Sequence, residues 1–88
     1  MLKVPESYEC VGDVMSNFDH KVEDWAEEKL KSGDYYGGYA AWNFHGHVWF
    51  ADGSFHVTIR CYGSHVDTVT EDTLQDIMDT CSELYGSE

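Results

Sequence analysis

The sequence predicts an α+β fold, a two-layer sandwich in the order α-β-β-β-α, with a three-stranded antiparallel sheet and both helices on one face. Three observations predict it. Residues 39–62 hold two of the three Trp and three of the four Phe with almost no charge. Within that stretch Asp52-Gly53 is flanked by alternating residues, the signature of a tight hairpin. On either side of it, apolar residues recur at the three- and four-residue steps of a buried helix face. Two helices over one side of a sheet is how such a pattern buries its apolar surface.

The first helix is expected over about residues 13–31, where Val14, Met15, Phe18, Val22, Trp25, Ala26 and Leu30 form one apolar stripe. Gly33 would stop it, and Lys29 and Lys31 sit where the helix dipole favours cations. Strands are expected over about 39–44, 47–51 and 54–61. A type I′ turn at Asp52-Gly53 sets Phe50 against Phe55, Trp49 against His56, Val48 against Val57 and His47 against Thr58. Alternation then places Val48, Phe50, Phe55, Val57 and Ile59 on a core face and His47, Trp49, His56, Thr58 and Arg60 on the other.

His45-Gly46-His47 is expected to link the first strand to this hairpin. A three-residue loop with a bulge brings Trp42 and Phe44 into the core; a two-residue loop would leave both in water and forfeit about 1.5 to 3 kcal/mol each. Residues 63–67 read as a connector. Thr68 or Thr70 would cap a second helix over about 71–85, with Leu74, Ile77, Met78, Cys81, Leu84 and Tyr85 as its buried stripe and Gly86 as its stop.

A chain of 88 residues is read as one domain, 1–88, and 15% aromatic residues argue for a folded core despite a net charge of −12. Charge is unevenly spread. Residues 1–34 hold nine acids and four Lys, 35–65 hold only Asp52 and Arg60, and 66–88 hold seven acids and no base. On the last helix Asp72, Asp76, Asp79 and Glu83 follow steps of four, three and four, forming one stripe joined by Glu23, Asp24 and Glu27 of the first. Acidic faces commonly serve solubility alone. Here the stripe has no intervening cation, and like charges at this spacing cost about 0.2 to 0.5 kcal/mol per pair, so a basic partner is the sharper expectation.

The element order is similar to that of double-stranded RNA-binding domains, yet the basic residues that such domains place against phosphate are missing, which disfavours direct nucleic-acid binding. Small size, strong acidity and acidic helices over a sheet resemble the phage-encoded inhibitors of bacterial defence, among them anti-CRISPR proteins and other DNA mimics. That resemblance implies a cytoplasmic protein in the host cell that occludes the nucleic-acid channel of a basic defence complex. The alternative expectation is a homodimer, or an assembly subunit, joined through the open sheet face around Trp49, His47 and His56. A further possibility is that residues 3–10 fold over the indole and hide it.

No catalytic motif is present: there is no phosphate-binding Gly-rich loop, no nucleophile elbow and no HExxH, so a non-enzymatic role without cofactors is expected. His47 and His56 could approach each other across the hairpin, but a zinc site wants three or four ligands, and no metal is expected. Cys10, Cys61 and Cys81 are odd in number and set among apolar neighbours, reading as three buried free thiols of a reducing compartment. No apolar run reaches bilayer length and residues 1–8 lack a signal-peptide core, so no membrane association is expected.

Overall fold

The computed structural model describes residues 3–16, 21–41 and 43–85. Phe18, Trp42 and Gly86 lie outside them, as does the side chain of Tyr85. The α+β character and the two layers are as expected, but the sheet is not three-stranded and not purely antiparallel. Its strands are β1 (Glu9–Ser16), β2 (Lys21–Val22), β3 (Tyr35–Ala41), β4 (Phe44–Ala51), β5 (Ser54–Cys61) and β6 (Ser64–Glu71). They lie in the order β2-β1-β3-β4-β5-β6, so five strands of seven or eight residues are extended at one edge by the two-residue β2. β1 and β3 run parallel and every other neighbouring pair runs antiparallel.

The expected 13–31 helix is therefore a correction: residues 13–16 belong to β1 and residues 21–22 to β2, and α1 spans only Ala26–Lys31. The cause is local. β1 changes register between Cys10 and Asp13 and again between Asp13 and Met15, with Gly12 at φ 100°. Such irregularity breaks strict alternation. Val14 and Met15 are thus both buried and Val11 packs beside them, a spacing that imitates a helix face. Trp25, expected in the stripe, is the residue preceding α1 and is 45% exposed.

The central hairpin has the expected register, from Ala51 opposite Ser54 to His47 opposite Thr58, around Asp52 at φ 55° and Gly53 at φ 80°. His45-Gly46-His47 is no loop; it lies within β4, whose first residue, Phe44, packs against the core. Gly46 is required there, because a Cβ would run into the Thr58 carbonyl oxygen on the neighbouring strand. A second tight turn was hidden in the expected connector. Tyr62 at φ 53° and Gly63 at φ 86° reverse the chain into β6, so Thr68 and Thr70 are strand residues, not helix caps. The cap of α2 (Leu74–Tyr85) is Thr73, whose hydroxyl accepts the Asp76 amide at 3.1 Å.

Both helices cover the same face. The core joins Ala26 and Leu30 of α1 and Leu74, Ile77, Met78 and Cys81 of α2 to Val14, Met15, Tyr39, Val48, Phe55, Val57, Ile59 and Val69 of the sheet, with Phe50 half-buried against it. α2 packs on β5, β6 and the edge strand β2, while α1 packs on β3 and β4. Leu84, expected in the buried stripe, is 54% exposed. The thiols also differ from expectation: all are free, but Cys10 is exposed, Cys61 half-buried and only Cys81 buried. Burial pushes the Cys81 thiol up to about 11 and raises the neighbouring Tyr39 hydroxyl well above its ordinary value. That hydroxyl has no hydrogen-bond partner among the described residues.

Candidate functional site

The two layers present two chemically different surfaces. On the helical side, Asp76, Asp79 and Glu83 of α2 are all exposed, as the helix repeat dictates once Leu74, Ile77 and Met78 turn inward. Asp79 accepts a hydrogen bond from the Gln75 amide at 3.0 Å. Asp72 is exposed as well, but it precedes the Thr73 cap and so stands beside the positive end of the helix instead of on its stripe. Glu23 and Asp24, also expected on a helix, lie exposed in the turn before α1; their acidity belongs to a loop. Glu27 alone of that group is helical, in the first turn of α1, and half-buried.

The opposite sheet face is covered by no helix. Strand pairing lines up Tyr36, Trp49, His56 and Thr70 in one row and Gly38, His47, Thr58 and Thr68 in the next. His45 and Arg60 follow, and the register shift in β6 places His65 beside Arg60. The Asp13 carboxylate of β1 occupies the space over Gly38 that a side chain would fill. His65 was the residue missed in the sequence. Recognising Tyr62-Gly63 as a turn would have placed it, because residues 66–70, VDTVT, are rich in the β-branched types that strands favour.

Trp49 is on this face, as alternation requires, yet it is 1% exposed and stands outside the core that the helices seal. It is therefore no exposed aromatic anchor. Its direct cross-strand neighbours are Tyr36 and His56, the latter with ring centroids 5.6 Å away. The Tyr8 hydroxyl donates to the Phe50 carbonyl at 3.4 Å, bringing the N-terminal segment to the same end of the sheet.

Two of the imidazoles, those of His56 and His65, are held by threonines. His56 Nε2 donates to the Ala51 carbonyl at 3.0 Å, which in the neutral ring leaves Nδ1 to accept from the Thr70 hydroxyl at 2.9 Å. His65 Nε2 is 3.0 Å from Thr68 Oγ1. His47 stacks edge-on to Tyr36 at 5.1 Å, and partial burial, followed by the nearby Arg60, lowers its pKa below the ordinary 6.5. Among the described residues, no three His, Cys, Asp or Glu converge as metal ligands. No helix there is long and apolar enough to cross a membrane. No protein-family model, curated protein or solved structure matches this chain.

Proposed function

We propose that the chain is a non-enzymatic acidic binding protein whose helical layer occupies the nucleic-acid groove of a basic partner, an anti-CRISPR-like blocker of a host defence complex. The observation that carries this reading is the charge of α2: Asp76, Asp79 and Glu83 are exposed and no Lys or Arg follows Arg60 in the sequence, while the turn before α1 adds the exposed Glu23 and Asp24 next to a helix that also carries Lys29 and Lys31. Successive carboxylates at three- and four-residue helical steps are about 4.5 to 6 Å apart along the axis, a spacing on the scale of consecutive phosphates. The longest dimension of the molecule is 34 Å, which limits its footprint to about one turn of duplex. The homodimer reading centred on an exposed Trp49 loses its anchor to the burial of that indole.

Binding of this kind replaces phosphate contacts, so it should be fast and should weaken steeply with salt. The test titrates the protein against candidate defence complexes and measures duplex binding by the complex. Competition with duplex, abolished by Asp76→Asn, Asp79→Asn and Glu83→Gln together in a chain that circular dichroism shows folded, is the expected result. Inhibition that survives the triple substitution, or that leaves DNA binding intact, rejects the mimic.

A further inference from the structure

Arg60 is the one Arg in a chain with 17 Asp and Glu, yet among the described residues it makes no ion pair with any of them. Strand pairing shows what surrounds it instead. Its direct partners are His45 on β4 and His65 on β6, and directly paired residues share a face, so Arg60 stands between two imidazole-bearing positions about 4.8 Å to either side. The acid nearest to it in sequence, Asp67, accepts the Thr68 amide at 2.8 Å. His45 is exposed, and Arg60 and His65 are half-buried. His65 Nε2 lies 3.0 Å from the Thr68 hydroxyl; when that hydroxyl donates, the ring proton sits on Nδ1 and can be donated to a ligand. Two residues beyond Arg60 the chain turns at Tyr62, which is 82% exposed at φ 53°. Stability gains nothing from an aromatic ring there, and backbone strain kept at an exposed position points to use of the side chain.

We infer that this end of the sheet, on the layer away from the helices, binds a mononucleotide, its phosphoryl group on Arg60 between His45 and His65 and its base on the Tyr62 ring. A guanidinium presents a planar fork that matches two phosphate oxygens, and neutral imidazole N–H groups on both sides add donors without adding charge. An exposed phenol ring is a stacking platform for a base of any sequence. The net charge of −12 repels anions at a distance, so the site admits a small ligand that closes directly on Arg60 and not a duplex, whose phosphates would meet the same field along their whole length. The acidic residues of α2 take no part in it, so the inference stands or falls apart from the proposed inhibition.

NMR shifts of the isotope-labelled chain, titrated at neutral pH with inorganic phosphate, adenosine monophosphate and acetate, read the site directly. Phosphate and the nucleotide should both move the Arg60 Nε–H and the His45 and His65 rings saturably, and only the nucleotide should also move the Tyr62 ring. Stacking of the base should make the nucleotide bind about tenfold more tightly than phosphate. Arg60→Gln should abolish binding of both, Arg60→Lys should restore part of the phosphate binding, and Tyr62→Asn should reduce the nucleotide to the affinity of phosphate. The amide spectrum of each variant shows that it is folded. No saturable shift up to roughly 10 mM probe overturns the inference. So do an unchanged affinity in Arg60→Gln, shifts centred on Lys29 and Lys31, and acetate that binds as tightly as phosphate. A nucleotide that binds no better than phosphate, or as well to Tyr62→Asn as to the parent, overturns the placement of the base on Tyr62.

Discussion

Trp49→Ala should cost about 3 to 5 kcal/mol even though the indole faces away from the helices, because a side chain 1% exposed leaves a cavity whichever layer it belongs to. Phe55→Ala, on the core face, should cost the same. Trp25→Ala should cost under about 1 kcal/mol, since that side chain is 45% exposed and precedes a six-residue helix. Urea midpoints for the three variants check the order, and a Trp25 loss equal to that of Phe55 would contradict it. His47 adds a pH term with a definite sign. Its folded pKa lies below the ordinary 6.5, chiefly through burial, so below about 6.5 the unfolded chain takes up the proton first and stability falls as pH falls toward the folded value. His47→Gln should flatten that part of a stability profile measured under dilute conditions, where chains do not associate.

At the scale of elements, the positive φ of Tyr62 is an avoidable strain. The residue is 82% exposed, so its ring packs on little, and its backbone adopts the left-handed region that side chains other than Asn, Asp and Gly rarely visit. Tyr62→Asn would complete an Asn-Gly type I′ turn and should stabilise the protein by about 0.5 to 1 kcal/mol, read as a rise in thermal midpoint. The same turn shows why β6 was illegible: a Tyr in its first central position hides the signal that Asp52-Gly53 gives openly one hairpin earlier. Thr68 and Thr70 before Glu71 and Asp72 then look like caps, although the true cap, Thr73, is three residues on. The β4–β5 register and the buried Leu74, Ile77, Met78 and Cys81 of α2 were legible, because alternation and helix spacing there are undisturbed. β1 was not, because its bulges displace Val11, Val14 and Met15 from alternation into helical spacing. The acidic stripe was partly legible: the composition located it, but the start of the helix moves Asp72 off it.

For the whole molecule, a net charge of −12 on 88 residues sets stability against self-repulsion, and salt should relieve it. Exposed charges are screened over about 30 Å at 0.01 M ionic strength but only about 3 Å at 1 M, so the repulsion acts across the 34 Å molecule in dilute buffer and only between neighbours in strong salt. The contributions are unequal along α2. Asp76, in its first turn, favours the helix through the dipole, whereas Glu83 stands in a last turn that holds no base. Glu83→Lys should therefore raise stability by about 0.3 to 1 kcal/mol in dilute buffer, and Asp76→Asn should lower it slightly. Sodium chloride series from low to high ionic strength, followed by thermal denaturation at neutral pH, should show the parent gaining stability with salt and Glu83→Lys gaining less. A parent midpoint that is flat or falls with salt would mean that the carboxylates do not repel one another appreciably in the folded state, and the case for a one-signed acidic stripe on α2 reserved for a basic partner would lose its energetic ground.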